Sequence, residues 1–334
     1  MARLRDCVVV GRIAALDEAR YDIGEVPLLG RAGQLREIVI EQDIELLVLG
    51  EGVPALSIFD EALATCMQHE LRVCTVGYFY EAVFGHVRIA EINASWFHCI
   101  MHPRYRPFSR YKLAMDLIGT LLLGLVLLPV LLIFCALIRL DGGPVLYRQV
   151  RIGERGRPFV IHKLRTMRVA AGGESPWTLP DDPRVTRVGR ILRRSHLDEL
   201  PQLINVLRGE MSLIGPRPEQ PSYVGRLETT LPYYQRRHLI RPGITGWAQI
   251  RCGYAGSEQG SAWKLCHDLY YMKYRSLRLD LAILVRTVWG LFFGLEFSMR
   301  PNTMDLLELA VVVPAEPLRV GAAAPLEQPA DDAA

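Results

Sequence analysis

Short apolar runs alternate with segments of helical periodicity over the first hundred residues. Because strand–helix alternation is typical of a parallel sheet, we predict an α/β fold class with a Rossmann-like domain over residues 1–100. The predicted strands are 7–10, 46–50 and 71–76, and the predicted helices between them are 34–42 and 55–69.

A dinucleotide site in such a domain needs a glycine-rich loop directly after the first strand. Here Gly11 is followed by Arg12, Ile13 and Ala14, so the glycines that cradle phosphates are missing. We therefore expect no nucleotide cofactor in this domain. We interpret it as a docking or dimerisation module, and a homodimer is one assembly that it could support.

Residues 117–138 form the longest apolar segment of the chain and contain no charged side chain. A straight helix of that length would reach about 33 Å, enough to cross the hydrocarbon core of a bilayer. We predict a membrane segment at 113–140, preceded by a Pro- and Arg-rich linker at 101–112. A buried core helix is the alternative, which the length and leucine content disfavour.

Pro129 lies in the middle of this segment and removes one helical hydrogen bond, so we expect the helix to bend or break there. Both flanks of the segment are rich in arginine, and positive flanks prefer the cytoplasmic side of a membrane. The pattern therefore favours a re-entrant helix that enters and leaves on one side. A plain membrane span stays open as the alternative.

Residues 276–297 are apolar but are interrupted by Arg278, Asp280 and Arg286. One interpretation is an amphipathic helix at the membrane surface, with Trp289 and Phe292 as interfacial anchors. The other interpretation is a core helix of the soluble part. Residues 313–334 are rich in Ala and Pro, and we expect them to be disordered.

The formal net charge of +3 conceals a strong asymmetry: residues 1–103 carry −7 and residues 104–312 carry +13. A basic block suits a polyanionic partner, such as phosphates, nucleic acid or an anionic membrane face. The seven cysteines form no CxxC pair and no metal spacing, which fits reduced thiols in a cytosol-facing protein. We expect no N-terminal signal peptide.

An acidic pair, Asp198 and Glu199, follows an arginine-rich segment that we expect to be helical from Asp182 onward. Since Pro201 is tolerated only in a first turn, a second helix should begin near Asp198. A helix N-terminus beside arginines keeps carboxylates ionised, and such a pair can hold a divalent cation together with phosphates. Alternatively, the two acids only cap the helix and pair with the preceding arginines, Arg193 and Arg194.

Three further clusters contain cations or glycines in a pattern suited to phosphate binding. Lys163 and Arg165 follow a predicted strand, and Arg217 lies between two prolines in a rigid turn. Residues 241–249 form a glycine-rich loop that begins with Arg241 and ends with Gln249. Each cluster alone also fits an ordinary surface turn or strand end.

Taken together, these strings closely resemble the bacterial sugar transferase family, the polyprenyl-phosphate hexose-1-phosphate transferases or monotopic phosphoglycosyl transferases. The resemblance covers roughly residues 110–297 and places the catalytic domain at 141–312. Residues 26–30, 80–81 and 84–85 are similar, more weakly, to the α/β domain of the longer members. The matching strings are GP at 143–144, QVRIG at 149–153, KLRTM at 163–167, LDELPQ at 197–202, LRGEMSLIGPRP at 207–218 and RPGITGWAQ at 241–249.

The resemblance implies an enzyme whose Asp198 attacks the β-phosphate of a nucleotide-diphosphate sugar and passes the sugar-phosphate to polyprenyl phosphate. It implies Mg²⁺ as cofactor, with Asp198 and Glu199 as ligands, and a location in membrane lipid at the cytoplasmic face of the bacterial inner membrane. It also implies a re-entrant helix broken at Pro129, although Leu128 stands where the family often has Ser. The implied substrate-binding residues are Lys163, Arg165, Arg193, Arg217, Arg241 and Gln249.

Two other functions remain to be weighed against this one. A non-catalytic membrane scaffold of a polysaccharide assembly complex would not need the intact acidic pair. A nucleic-acid binder would need aromatic platforms among the cations, and the apolar segment lies inside the basic block instead, so we expect no nucleic-acid partner. If the enzyme interpretation holds, deletion of residues 1–100 should leave some transferase activity.

Overall fold

The computed structural model describes residues 7–14, 26–50, 57–89, 92, 96–97, 110–168, 182–252 and 257–293. The predicted tail and residues 101–109 of the predicted linker lie outside these residues, as does the side chain of Phe292. The described part is mostly helical, with four small two-stranded sheets and one long apolar helix.

Strands and helices alternate in the N-terminal part of the chain, and helices predominate after it. The strands are β1 (Arg12–Ala14), β2 (Leu28–Arg31), β3 (Leu46–Leu49), β4 (Arg72–Thr75), β5 (Leu146–Ile152), β6 (Pro158–Leu164), β7 (Ser212–Ile214) and β8 (Gly243–Thr245). The α-helices are α1 (Leu35–Glu41), α2 (Ser57–His69), α3 (Val76–Phe84), α4 (Arg110–Leu140), α5 (Arg187–Ser195), α6 (Leu203–Leu207), α7 (Pro221–Thr230), α8 (Trp247–Cys252), α9 (Glu258–Tyr274) and α10 (Leu277–Phe293).

The N-terminal region contains two separate parallel strand pairs, β1 with β2 and β3 with β4. The predicted strands at β3 and β4 and the predicted helices at α1 and α2 are confirmed. The prediction of a strand at residues 7–10 was wrong: these residues form no regular element, Val8 and Val9 are exposed, and β1 begins only at Arg12. A small core of its own, centred on Leu35, Val39 and Leu71, holds this region together.

Four described residues that follow α3 belong to the main hydrophobic core, together with residues of the elements after residue 150. Val87, Ile89, Ile92 and Trp96 are each at least nine-tenths buried there. A deletion through residue 100 would therefore remove part of the main core, whereas the small core of the N-terminal region lies before residue 75.

Helix α4 runs for 31 residues without interruption, with Pro129 inside it. Its apolar window has a mean hydropathy of 3.1 and is only 6% buried, so it is long and apolar enough to cross a membrane. The helical assignment continues through Pro129, because proline removes only one backbone donor and the leucine-rich sequence on both sides favours helix, so the chain does not leave the helix there. A bend of the helix axis at Pro129, which would bring both ends to one side, stays a prediction.

Both ends of α4 are attached to the same body. Near its N-terminal end, Asp116 accepts hydrogen bonds from Ser212 Oγ at 2.8 Å and from the Leu213 amide at 3.2 Å. Near its C-terminal end, buried Ile138 packs against Leu164 and Leu192. The exposed leucines between these ends form an apolar surface beside the body.

Helix α10 is amphipathic and packs against the body with one side, as the core-helix interpretation predicts, while its location at a membrane surface stays a prediction. Its inner side contains the fully buried Ile283 and Asp280, which accepts a hydrogen bond from Tyr271 Oη at 2.7 Å. Its outer side is exposed and mainly apolar, interrupted by the exposed Arg278 and Arg286. The exposed large apolar residues are Leu277, Leu281, Val285, Val288, Trp289 and Leu291.

Candidate active site

The acidic pair lies in a 3-10 helix, Leu197–Gln202, between α5 and α6. His196 precedes it with φ of 56°, a left-handed conformation that ends α5. The expected start of α5 at Asp182 was wrong: Thr186 is the N-cap and accepts a hydrogen bond from the Gly189 amide at 2.8 Å. Asp182 instead accepts hydrogen bonds from the backbone and side chain of Arg184.

Glu199 is held in place by two cations from different parts of the chain. Its Oε1 accepts from Lys163 Nζ on β6 and from Arg217 Nη2, each at 2.7 Å. The Glu199 side chain is 11% exposed. The two cations overcome the cost of burial and hold the pKa of Glu199 far below its usual range, so the carboxylate is charged and its position is fixed.

Asp198 differs from its neighbour, because no hydrogen bond within the described part of the chain engages its carboxylate. Burial raises the pKa of Asp198, and the charge of Lys163 opposes that rise. The two acids therefore differ: Glu199 is ionised and fixed by two cations, whereas the Asp198 carboxylate has no described hydrogen-bond partner. The alternative of simple pairing with Arg193 does not describe Glu199, since Arg193 Nε donates to Thr166 Oγ1 at 2.9 Å.

The turn that contains Arg217 is fixed through its backbone. The Gly215 amide donates to the Thr245 carbonyl at 2.9 Å, and the Gly243 amide donates to the Pro216 carbonyl at 2.9 Å. A Cβ at Gly215 would collide with the Arg241 carbonyl oxygen, so only glycine permits the backbone at 215 to lie this close to the backbone at 241–243. The turn therefore presents the Arg217 guanidinium from a fixed backbone.

Among the predicted site residues, the structure brings together Asp198, Glu199, Lys163 and Arg217. The other four make different contacts, and none of them forms a described hydrogen bond with the acidic pair. Arg165 donates to the Ile138 carbonyl at 3.1 Å, Arg193 to Thr166, Arg241 to Glu154 at 3.4 Å, and Gln249 to the Ile244 carbonyl at 3.0 Å. A direct role of these four in substrate binding stays a prediction.

Several residues of the site escaped the sequence interpretation. Arg151 donates to the Pro218 carbonyl at 3.3 Å, and Arg237 donates to the Arg217 carbonyl at 3.0 Å. Asp268 pairs with Arg237, although 31 residues separate them. Arg151 belongs to one of the matched strings, so its position was a usable signal, whereas nothing local marks Arg237 or Asp268.

The donor set is compatible with Mg²⁺ but does not form a complete metal site. Within the described residues, no group of three His, Cys, Asp or Glu side chains could hold a metal ion. Mg²⁺ commonly binds one or two carboxylates and completes its shell with water and substrate phosphates. Asp198 is available for such binding, whereas the strongest contacts of Glu199 Oε1 already go to Lys163 and Arg217.

Comparison with known proteins agrees with the family that the motifs indicate. Residues 108–294 match the model of the family described as "Bacterial sugar transferase", and the chain belongs to that family.

Relatives include the UDP-N-acetylgalactosamine-undecaprenyl-phosphate N-acetylgalactosaminephosphotransferase of Aeromonas hydrophila, 36% identical over 71% of this chain and 56% of the relative. The UDP-glucose:undecaprenyl-phosphate glucose-1-phosphate transferase of Caulobacter vibrioides is 43% identical over 53% of this chain and 68% of the relative. An Escherichia coli K12 protein of the same name is 39% identical over 53% of this chain and 39% of the relative. The match thus spans from about two fifths to about two thirds of these relatives' lengths.

Proposed function

We propose that this chain transfers a sugar-1-phosphate from a nucleotide-diphosphate sugar, of the UDP-hexose class, to polyprenyl phosphate. The observation that carries the proposal is an uncommitted carboxylate, Asp198, beside a carboxylate fixed by two cations in a member of this family. The names of the relatives, which join UDP-sugars to undecaprenyl phosphate, support the same pair of substrates. The product would start the repeat unit of an exopolysaccharide, capsule or O-antigen.

In the first step, an Asp198 oxygen attacks the β-phosphorus of the nucleotide sugar. The bond from that phosphorus to the bridging oxygen breaks, and the nucleoside monophosphate leaves with the bonding electrons. Lys163 and Arg217 are placed to stabilise the charge that develops on the phosphoryl oxygens. Because both cations also hold Glu199, their positions are fixed before substrate arrives.

In the second step, a phosphate oxygen of the polyprenyl phosphate attacks the same phosphorus. The bond to Asp198 breaks, which returns the free carboxylate and releases a polyprenyl-diphosphate sugar. A carboxylate is a weak nucleophile, so its ionisation and position limit the first step, and it is a good leaving group in the second.

Mg²⁺ is the proposed cofactor, with Asp198 as the protein ligand best placed to hold it and Glu199 beside it. When bound, the ion would neutralise part of the diphosphate charge. We expect a chelator to stop nucleoside monophosphate release and added Mg²⁺ to restore it. Full activity in the presence of excess chelator would contradict this part of the proposal.

We further propose that the protein lies at the cytoplasmic face of the bacterial inner membrane, with α4 entering and leaving on one side. Attachment of both ends of α4 to one body supports this, because a soluble body cannot contact both ends across a bilayer. The apolar outer side of α10 would rest on membrane lipid. Cysteines placed at Tyr111 and Arg148 in a cysteine-free chain should both be labelled from the cytoplasmic side, and labelling from opposite sides would establish a span.

For the N-terminal region we propose a reduced, Rossmann-like docking or dimerisation module. Its parallel strand pairs and its separate small core support this role. Deletion of residues 1–75 should leave the main core intact and some transferase activity. Tight nucleotide binding by this region would contradict the proposal.

One assay tests the main proposal against the alternative of a non-catalytic scaffold. The protein in membranes is given polyprenyl phosphate and a panel of nucleotide sugars, and release of the nucleoside monophosphate is measured. The enzyme proposal predicts release with at least one sugar and none with Asp198→Asn. No release from any nucleotide sugar, from folded protein with Mg²⁺ present, would favour the scaffold.

A further inference from the structure

A second buried ion pair, between Arg237 and Asp268, lies behind the Arg217 turn. The side chains are 5% and 3% exposed, and Arg237 Nη2 and Nε reach Asp268 Oδ2 at 2.8 and 3.0 Å. Burying two charges is costly, and well-packed apolar residues often stabilise a fold as much as a buried ion pair does. A contribution to stability alone therefore does not explain why two charged residues are buried at this position.

The other donors of Arg237 show where the pair acts. Its Nη2 donates to the backbone carbonyl of Arg217 at 3.0 Å, and its Nη1 donates to Tyr234 Oη at 2.8 Å. On the next residue of the turn, the Pro218 carbonyl accepts from Arg151 Nη1 at 3.3 Å. Two arginines from different elements thus hold two consecutive carbonyls of the turn.

The side chain of Arg217 needs this support more than its partners do. It is 40% exposed, whereas the carboxylate that it binds, Glu199, is 11% exposed. A long, partly exposed arginine has many rotamers, so the position of its guanidinium depends on how well its backbone is fixed. Small displacements of a group that orients substrate can lower a rate by about 100-fold.

We propose that Arg237 and Asp268 are positioning residues for Arg217. Asp268 orients the planar guanidinium of Arg237, Arg237 fixes the Arg217 carbonyl, and the Arg217 side chain is thereby set against Glu199 and the substrate diphosphate. Neither residue touches the reacting atoms. This inference rests on the proposed transferase function.

The test uses Asp268→Asn in the full chain in membranes, with Glu81→Gln as the matched control. Glu81 pairs with Lys273 at 2.6 Å, on the same helix α9 as Asp268, and its side chain is 4% exposed. Both variants break a buried ion pair of that helix, but only the first should affect the turn. Arg237→Lys, which keeps the charge and loses the planar fork, is the second variant if Asp268→Asn does not fold.

The first readout is hydrogen exchange of the backbone amides from Ser212 to Glu219, which needs no activity. We expect faster exchange there in Asp268→Asn and an unchanged rate in Glu81→Gln. The same result in both variants, or no change in either, would overturn the proposal. Because this readout is independent of turnover, it separates failure of the positioning role from failure of the proposed reaction.

The second readout is a double-mutant cycle on kcat/KM with Arg217→Lys. A positioning role predicts that Asp268→Asn alone lowers kcat/KM by about tenfold or more and adds little once Arg217 has been replaced. A purely structural role predicts that the two effects multiply. Multiplied effects would overturn the proposal, whatever the change in melting temperature.

Discussion

Two buried glutamates, Glu199 and Glu81, have nearly the same local chemistry and different surroundings. Each accepts a short hydrogen bond from a lysine, at 2.7 Å from Lys163 and at 2.6 Å from Lys273. Glu81 also accepts from Trp96 Nε1 at 3.0 Å and from Tyr274 Oη at 2.5 Å, and its side chain is 4% exposed. A buried lysine–glutamate pair is therefore not in itself a sign of an active site.

The difference lies in what stands beside each pair. Glu199 has an adjacent carboxylate, Asp198, without a described hydrogen bond, and one of its cations, Arg217, is 40% exposed and can meet an incoming anion. The described contacts of Glu81 go to side chains packed in the core, and they connect α3, which contains Glu81, to α9. The first pair can take part in phosphoryl chemistry, whereas the second joins two parts of the fold.

The largest effect is expected at Asp198. Asp198→Asn should reduce nucleoside monophosphate release to background, a loss of about 10⁴-fold or more, because an amide cannot form the phosphosugar ester. Since burial already raises the pKa of Asp198 and disfavours its charge, the neutral amide should leave the melting temperature unchanged or slightly higher. Parallel turnover and thermal unfolding measurements check both parts.

A smaller but still severe effect is expected at Glu199. Glu199→Gln removes the charge that holds Lys163 and Arg217, so both cations lose their fixed positions, and turnover should fall by about 100-fold. Turnover within a few-fold of the unmodified chain, measured in the same assay, would mean that the cluster does not preorganise the site.

The motifs around Glu199 were within reach of sequence reasoning, because Lys163, Asp198, Glu199 and Arg217 lie in continuous strings with a fixed order. The contacts of Arg165 could not be predicted from the sequence, because an arginine in a motif gives the same pattern whether it binds substrate or the end of a helix. Arg165 binds the Ile138 carbonyl at the end of α4, which only the fold could show.

The strand prediction at residues 7–10 failed for a related reason. Its valines have strand propensity, but pairing depends on a neighbour, and β1 forms beside β2 a few residues later. Likewise, Asp268 and Arg237 meet only through packing of α9, so their spacing in the sequence carried no signal.

The pH dependence gives a graded test of the same comparison. The raised pKa of Asp198 means that its carboxylate is protonated at a higher pH than an ordinary aspartate, so kcat/KM should fall as pH falls through a pKa above 3.8. Protonation of Glu199 should not contribute to this fall in kcat/KM, because the pKa of Glu199 lies far below its usual range. A pH profile of kcat/KM in which the acid limb lies at or below 3.8 would contradict this assignment.

The smallest effect on turnover is expected at Glu81. Glu81→Gln leaves Lys273 buried without its counter-ion, so the free energy of unfolding should fall by about 3 kcal/mol. Turnover per folded molecule should stay unchanged, since Glu81 touches none of the site residues described above. If its turnover fell as far as that of Glu199→Gln, the contrast between the two glutamates would have to be abandoned.

The most direct measurement concerns the covalent intermediate on Asp198. The protein is incubated with Mg²⁺ and a nucleotide sugar that supports turnover, without polyprenyl phosphate, and its intact mass and peptides are analysed. We predict an added mass of one sugar-phosphate that maps to Asp198, disappears when polyprenyl phosphate is supplied, and is absent from Asp198→Asn. Nucleoside monophosphate release without any adduct, or an adduct on another residue, would contradict the proposed mechanism.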